Sequence, residues 1–395
     1  MKSSELHSVF LQLVRLGIGH STFSALTNVD LVAVKELAAK QGLEAVVLDG
    51  LNDVRSKRED IRCGSLQEKI LLAEWIGEVH QFYEQRYEQY LQTIAEMAAF
   101  YNSHGFKMMI LKGYACSLDW PKPNHRPCGD IDIWQFGRQK EADAALEEWF
   151  KSLKVQKFKI DSSHHHHTVF DWQGFMVENH YDFIDVHHRK SGPKLEAIFK
   201  ELGSEANLND NDNDNDNDNS VGNQIPCVKV ESASTGSATK VYFPSPNLHA
   251  LFLVYHTMLH FTSTEMNIRQ LLDWGLFAEK HKDEIDWNWL KEMLNDFHLM
   301  DFFNIINAIC VDDLGFDAKI FKGVKFNYEM KERVLNDTLS PEFTEEEPKN
   351  IVRRFFFRYR RWKSHDWKHK LCYEESMWSI FWSAVWSHIL KPKSI

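Results

Sequence analysis

The chain has 395 residues, of which 43% are hydrophobic, so it is long enough to form two or three compact units with cores of their own. Its formal net charge of −11 argues against general coating of nucleic acid, because neutralising phosphates requires a cationic surface. The six cysteines include no CxxC pair, which is typical of free thiols in a reducing compartment rather than of a disulfide-stapled secreted domain.

The chain carries no sign of export or membrane insertion. Its first residues lack the apolar segment of a signal peptide. The most apolar late stretch, residues 377–390, is shorter than the roughly 20 residues that a membrane-spanning helix needs. We therefore expect a cytoplasmic protein without a membrane span.

Residues 1–103 are predicted to form an N-terminal helical region. Apolar side chains recur at helical spacing in three segments of this region, 10–16, 31–48 and 67–102.

The pattern changes in residues 104–203, where short strands alternate with one helix. The apolar run 106–111 ends at Lys112-Gly113 and is predicted to be a buried strand. A proline-rich loop, 121–127, leads into the strand motif Gly129-Asp130-Ile131-Asp132-Ile133-Trp134. After a predicted helix over 138–153, three more strands are predicted over 155–160, 167–172 and 174–183, with a tight turn at Gln173-Gly174.

The segment 204–240 interrupts this regular pattern. Within it, residues 209–219 alternate Asn and Asp without any apolar side chain, so they cannot bury surface. We therefore predict that 204–240 is a low-complexity, disordered insertion. Helical spacing returns afterwards, and residues 241–395 are predicted to form a C-terminal helical domain.

Asp130 and Asp132 form the first candidate site. Residues i and i+2 of a strand face the same side, so the two carboxylates project together while Ile131 and Ile133 enter the core. Two like charges roughly 6–7 Å apart repel unless a divalent cation lies between them. The alternative is an edge strand with two solvated aspartates, and the motif alone does not decide between these interpretations.

Four motifs together resemble the bacterial family of uncharacterised nucleotidyltransferases, which belongs to the DNA polymerase beta-like superfamily. They are Leu111-Lys112-Gly113, the Pro-x-x-Arg loop Pro123-Asn124-His125-Arg126, Gly129-Asp130-Ile131-Asp132, and Val177-Glu178-Asn179-His180. The resemblance spans roughly residues 5–390 and is tightest at 107–134 and 174–188. It implies an α+β fold, with a polymerase-beta-like mixed-sheet core flanked by N- and C-terminal helical regions.

The resemblance also implies roles for individual residues. Asp130, Asp132 and Glu178 would be the catalytic residues and the ligands of Mg²⁺, for which Mn²⁺ can substitute. The nucleotide would be bound by Lys112, Gly113, Arg126 and Gly129. Weaker candidates for substrate contacts are His180, Arg269 and Asp273.

Two details of these assignments stay open. Compact members of the superfamily carry a serine directly after the glycine, whereas here Tyr114 follows Gly113, so we expect Lys112 and Arg126 to replace that phosphate contact. Asp182 lies on the same strand face as Glu178, and Asp185 lies just beyond it, so either of them is an alternative third acid.

The tract His164-His165-His166-His167 is a second, minor candidate for metal binding. Adjacent residues of an extended segment face opposite sides, so the four imidazoles cannot all converge on one ion. A Zn²⁺ site here is therefore a minor hypothesis, although His167 is a candidate neighbour of the main site.

The resemblance predicts an enzyme that transfers a nucleoside monophosphate from a nucleoside triphosphate to an acceptor that the sequence does not identify. A related phosphotransfer on the same fold is one alternative. The other is a non-catalytic nucleotide-binding or interaction protein on that fold.

Overall fold

The computed structural model of the protein describes residues 3–21, 29–57, 65–154, 158–186, 191–208, 221–234, 236, 238–263, 265–323, 328–343, 348–376, 378 and 382. The Asn/Asp segment 209–219 and most of the apolar stretch 377–390 lie outside these residues.

In the described residues the α-helices are, in chain order, α1 (Ser3–Gly17), α2 (Leu31–Gln41), α3 (Glu44–Lys57), α4 (Leu66–Val79), α5 (Arg86–Ser103), α6 (Tyr114–Ser117), α7 (Gln139–Ser152), α8 (Gly192–Leu202), α9 (Pro246–Ser263), α10 (Ile268–His281), α11 (Trp287–Asp296), α12 (Met300–Asp312), α13 (Tyr328–Leu339), α14 (Ile351–Ser364) and α15 (Asp366–Cys372). The strands are β1 (Met109–Ile110), β2 (Ile131–Trp134), β3 (His167–Trp172), β4 (Phe175–His180), β5 (Cys227–Glu231) and β6 (Ala238–Tyr242). A helix that combines the length and the apolar character needed to cross a bilayer does not occur among these described elements.

The chain divides into two units. A helical unit comprises Met1–His80, Leu253–Lys282 and Trp287–Met377, and a sheet unit comprises Gln81–Phe252, Asp283–Asp286 and Trp378–Ile395. The chain forms a mixed sheet, and helical segments precede and follow its strands along the sequence, which confirms the predicted α+β class. The finer division at residues 103, 203 and 240 remains a prediction. The disordered insertion predicted over 204–240 is wrong in part, because β5 and the start of β6 lie in it and pair as strands of the sheet.

Close helix packing and buried polar contacts characterise the helical unit. α1 and α3 approach closely because Gly50 leaves room for the carbonyl oxygen of Leu13, and a Cβ at this position would lie 2.0 Å from that oxygen. A buried ion pair joins Lys368 of α15 to Asp337 of α13, with 2.5 Å between Nζ and Oδ2.

The sheet unit is built on six strands in the order β3-β4-β2-β1-β6-β5. β2 lies between β4, which runs parallel to it, and β1, which runs antiparallel. β3 and β4 form the antiparallel hairpin that the sequence predicts, and its turn residues Gln173 and Gly174 both have positive φ, 54° and 82°. Positive φ at both central residues matches the twist of a two-residue hairpin.

Apolar side chains at alternate strand positions fix the orientation of the sheet. Ile131 and Ile133 of β2 and Val177 of β4 are completely buried, in a core that they share with α5 and α7. Because side chains alternate along a strand, Asp132, Glu178 and His180 are directed to the opposite face. The hydrophobic pattern therefore decides on which side the polar site forms.

The predicted strand over 155–160 is wrong in its described part. Residues 158–160 are not in a strand, residues 155–157 lie outside the described residues, and only an isolated bridge joins Asp161 to Val169. The ring of Phe158 stacks instead on Phe150 of α7, with 3.8 Å between the ring centroids. Its apolar character thus reflects packing against a helix rather than pairing in the sheet.

Candidate functional site

The Leu-Lys-Gly motif lies directly after β1 and is tied to β2 through the backbone. The N–H of Leu111 donates to the carbonyl oxygen of Asp132 at 3.0 Å, which sets Lys112 beside the acidic strand. Gly113 has φ +64°, and a Cβ there would lie 2.3 Å from Oη of Tyr90. That same hydroxyl donates to the carbonyl oxygen of Asp130 at 3.0 Å. A glycine is therefore required at position 113, both for its backbone conformation and for the contact that holds Asp130.

The two aspartates differ in exposure although they belong to one motif. The side chain of Asp132 is completely buried, whereas that of Asp130, just before β2 begins, is 37% exposed. Lys112 Nζ lies 3.0 Å from Oδ1 of Asp132 and 3.7 Å from Oδ2 of Asp130. A single ammonium group thus pairs with both carboxylates and offsets only part of their negative charge.

The charge of Lys112 is stabilised by its acidic surroundings. Burial alone would favour the neutral amine, but the nearby charges of Asp132, Asp130 and Glu178 outweigh this effect and raise the pKa of Lys112. Lys112 is consequently a permanent cation at the centre of the cluster.

The parallel pairing of β2 and β4 brings the third acid to the first two. In this register Asp132 is the partner of Glu178, and Trp134 is the partner of His180. Nε2 of His180 lies 3.2 Å from Oδ1 of Asp132 and 3.6 Å from Oε2 of Glu178. Two motifs separated by more than 40 residues of sequence therefore meet at the same point of the sheet.

The electrostatics of this pair of strands favour an ionised glutamate and a charged histidine. Burial opposes the charge of Glu178, but the hydrogen bond from His180 and the charge of Lys112 lower its pKa. Burial also opposes the charge of His180, but its hydrogen bonds to Asp132 and Glu178 raise its pKa to about 9. His180 is therefore protonated at neutral pH while no metal ion is bound, and its Nδ1 is 3.2 Å from the carbonyl oxygen of Asp182 as a further acceptor. A metal ion that binds Nε2 of His180 would displace the proton there.

These residues fit a divalent cation. Ligand atoms of Asp132, Glu178 and His180 all lie within 4.8 Å of one another. Oδ2 of Asp132 is buried and has no hydrogen-bond partner among the residues that the structure describes. A buried carboxylate oxygen without a partner carries a desolvation cost that a bound cation would remove.

Comparison with known proteins agrees with the motifs. The sequence model of a family described as "Uncharacterised nucleotidyltransferase" matches residues 28–215. Residues 28–215 are therefore similar to this nucleotidyltransferase family. The resemblance seen in the motifs is thereby confirmed, over a narrower span than the expected 5–390, and the match includes strands β1 to β4. Searches of curated proteins and of solved structures gave no match.

Within this nucleotidyltransferase segment, the other nucleotide-binding candidates occupy different surroundings. A Cβ added at Gly129 would meet no heavy atom of the described residues within 4 Å, so this position borders open space beside Asp130. Arg126 is 7% exposed, and its Nη1 donates to the carbonyl oxygen of Pro127 at 3.2 Å. Arg269 and Asp273 lie on α10 in the helical unit, outside the matched segment.

The two alternative third acids are distinguished by their contacts. The carboxylate of Asp182 forms an ion pair with Lys200 of α8, so it is engaged away from Lys112. Asp185 is not among the residues whose ligand atoms cluster with Asp132 in the described structure. Only Glu178 of the three predicted acids joins that group.

Sequence reasoning missed Tyr90 and underrated the histidine tract. Tyr90 lies on the buried face of α5, where an aromatic residue at helical spacing indicates core packing, so no local signal pointed to its contact with Asp130. His167 was expected only as a neighbour of the site, and its Nε2 lies 3.9 Å from Oε1 of Glu178. The pairing of His167 with His180 across the hairpin produces this contact.

Proposed function

We propose that the nucleotidyltransferase segment transfers a nucleoside monophosphate from a nucleoside triphosphate to an acceptor, in a reaction that depends on Mg²⁺. The observation that carries this proposal is the convergence of Asp130, Asp132 and Glu178 on one permanent cation, Lys112. A cluster of carboxylates around a lysine suits the binding of a triphosphate together with a divalent cation. This cluster lies within the segment that matches a nucleotidyltransferase family.

The three carboxylates are the proposed ligands of the metal ion. Asp130, Asp132 and Glu178 offer only oxygen atoms, which Mg²⁺ prefers and which also accept Mn²⁺. When bound by these residues, the ion would supply positive charge that offsets the charge developing on the leaving pyrophosphate. The buried Oδ2 of Asp132, without a partner among the described residues, supports this assignment.

Lys112 is the proposed contact for the triphosphate. Its side chain is 20% exposed and its ammonium group already lies between two carboxylates, so it can exchange one of these partners for a phosphate oxygen. Gly113 follows Lys112 directly, and Gly129, where a Cβ would meet no described atom within 4 Å, leaves room for phosphate close to the backbone beside Asp130. Arg126 is proposed as a second cation for the same anion, because its planar guanidinium suits bidentate binding.

As an alternative to its role as a metal ligand, Glu178 is proposed as the base for the acceptor. Its lowered pKa keeps the carboxylate ionised at neutral pH, so it can take the proton of an attacking hydroxyl group. His180 holds that carboxylate through the contact of 3.6 Å between Nε2 and Oε2. In this proposal His180 is a positioning residue, with Arg269 and Asp273 as weaker candidates for substrate contacts.

A non-catalytic nucleotide-binding protein on the same fold is the alternative of a different class. It would bind a nucleoside triphosphate with Mg²⁺ and release no pyrophosphate. A phosphotransferase would also release no pyrophosphate, because it moves the terminal phosphate alone.

Binding and turnover together test the proposal. The thermal midpoint of the wild-type chain is measured with each of the four common nucleoside triphosphates, with and without Mg²⁺, and pyrophosphate release is followed with hydroxyl acceptors. A ligand of the folded state raises the midpoint, so we expect a rise that needs both components. The variant D130N/D132N should lose the rise and the pyrophosphate, whereas E141Q/E148Q, which neutralises two exposed carboxylates of α7, should keep both. The proposal fails if wild type never releases pyrophosphate or if D130N/D132N still does.

A further inference from the structure

We propose that His166, His167 and His180 form a binding site for Zn²⁺ beside the carboxylate cluster. One ligand nitrogen from each of these residues lies within 4.8 Å of the other two. The site is distinct in chemistry from the proposed Mg²⁺ site, because its ligands are imidazoles rather than carboxylates. The inference does not depend on the proposed function.

The hairpin explains why neighbours in a histidine tract can converge. His167 begins β3 and is paired with His180 at the end of β4, so their rings share one face of the sheet with 5.2 Å between centroids. His166 precedes the strand, where the alternation of an extended chain no longer applies. Its ring lies 4.4 Å from that of His167 and 5.5 Å from that of His180.

The backbone at His166 is fixed rather than free to turn away. Its carbonyl oxygen accepts hydrogen bonds from the N–H groups of Tyr181 and Asp182, at 3.0 and 3.1 Å. These bonds tie the residue to the end of β4, directly beside His180. The backbone of His167 is thus paired with that of His180, and the backbone of His166 is bonded to the two residues after His180. The three rings are therefore already close together before any ion binds.

Burial and missing partners indicate that a ligand belongs at this position. His167 and His180 are only 6% and 4% exposed. Nδ1 of His166 and Nδ1 of His167 are buried and have no hydrogen-bond partner among the described residues. A buried polar atom without a partner carries a desolvation cost, and coordination of a metal ion would remove part of that cost.

The donor set selects the kind of ion. Three imidazoles suit Zn²⁺, whereas Mg²⁺ takes oxygen ligands. Nδ1 of His180 lies 3.2 Å from the carbonyl oxygen of Asp182, the kind of outer contact that orients metal-binding histidines. The fourth position is left for water, because Glu178, whose Oε1 lies 3.9 Å from Nε2 of His167, is a proposed ligand of Mg²⁺.

Loading of the site requires only a small closure of the rings. Ligand nitrogens around a tetrahedral Zn²⁺ lie about 3.4 Å apart, given metal–nitrogen distances of about 2.1 Å. The present separations of up to 4.8 Å would therefore shorten by about 1 Å, which side-chain rotation can provide. Bound Zn²⁺ would then join β3 and β4 next to Glu178.

The tract supplies its own matched control. The variant H166Q/H167Q removes two proposed ligands, and H164Q/H165Q removes the same number of histidines from the same tract but leaves the triad intact. Metal-free full-length chains are titrated with Zn²⁺ in competition with a chromophoric chelator. Co²⁺ is then added to each protein, and its visible absorption reports the ligand geometry.

We expect wild type and H164Q/H165Q to bind one Zn²⁺ per chain with equal affinity and to give an intense tetrahedral Co²⁺ spectrum. Loss of an outer contact already costs 10–100-fold in metal affinity, so loss of two ligands in H166Q/H167Q should cost at least about 100-fold. Equal loss in both double variants would overturn the proposal, because it would indicate adventitious binding to the tract. Failure of wild type to bind Zn²⁺ would overturn it as well.

Two further variants guard against misinterpretation. H166Q alone changes a half-buried residue and should weaken Zn²⁺ binding without altering the thermal midpoint of the metal-free chain. D130N leaves the triad untouched, so it should retain Zn²⁺ even if it abolishes pyrophosphate release. A loss of Zn²⁺ in D130N would contradict the separation of the two sites.

Discussion

Replacement of Gly113 by alanine tests the link between the Leu-Lys-Gly motif and the acidic strand. The new Cβ would lie 2.3 Å from Oη of Tyr90, and the backbone there has φ +64° and ψ −101°. We expect a destabilisation of about 2–4 kcal/mol, of which about 1–3 is backbone strain and about 1 is the displaced hydrogen bond to Asp130. At about 2–4 °C per kcal/mol, the thermal midpoint should fall by roughly 4–16 °C.

A double-mutant cycle with Y90F separates the two contributions. Without the hydroxyl group the new methyl has room, so G113A should cost less in the Y90F background than in wild type, and the difference is the coupling between the two residues. G129A is the matched glycine control, because a Cβ at Gly129 meets no described atom within 4 Å. If G113A costs as little as G129A, or costs the same with and without the tyrosine hydroxyl, the reasoning about this contact is refuted.

Three further predictions concern charged groups. K112Q should bind Mn²⁺ alone more tightly, because Nζ no longer competes for the carboxylates, and bind a magnesium–triphosphate complex roughly 10–100-fold more weakly. Burial raises the pKa of Glu196 to about 7, so its protonated form stabilises the fold fully below pH 4.5. As the pH rises through 7, the free energy of unfolding should therefore fall by at most about 3 kcal/mol. K368M should cost about 3–5 kcal/mol, because Asp337 is left buried without its cation, whereas K370M removes only an exposed pair and should cost about 0–1 kcal/mol.

Each of these has its own measurement and control. Manganese titration and nucleotide binding of K112Q are compared with those of K107Q, and a parallel fall of both affinities would contradict the competition between Nζ and the cation. Urea unfolding from pH 4 to 8 is compared between wild type and E196Q, and the prediction fails if the difference between them does not change with pH. For K368M, a cost no larger than that of K370M would contradict the role of the buried pair.

The sequence carried enough information for the strands of the site but not for their pairing. Alternation of Asp and Ile at 130–133 and the hairpin turn at Gln173-Gly174 are local patterns, and both appear in the structure as predicted. The parallel alignment of β2 with β4, which sets Glu178 opposite Asp132, is a contact between distant segments that no local period encodes. Its prediction rested on the resemblance to the family rather than on the residues themselves.

Helical periodicity also failed where the helix itself is irregular. The helical spacing over 67–102 predicts one buried face, but Phe82, which lies between α4 and α5, is about half exposed, as are Ile70 and Ile76 within the regular helix α4. Between α4 and α5 the chain forms a π-helical segment, His80–Gln85, whose wider turn shifts the face that follows. The pattern located the helices correctly and assigned some of their outward residues to the core.

The most direct test of nucleotidyl transfer uses a nucleoside triphosphate with a labelled phosphate and measures where the label goes. Full-length protein with Mg²⁺ is incubated with a triphosphate labelled either at the α-phosphate or at the γ-phosphate, together with low-mass and macromolecular acceptor fractions. Our account predicts that the α label becomes attached to an acceptor while the γ label leaves in pyrophosphate, and that D130N/D132N transfers less by at least about 1,000-fold, since a metal site supplies several kcal/mol to the transition state. Transfer of the γ label would instead indicate phosphotransfer, and transfer of neither label, despite binding of the triphosphate, would contradict catalysis at this site.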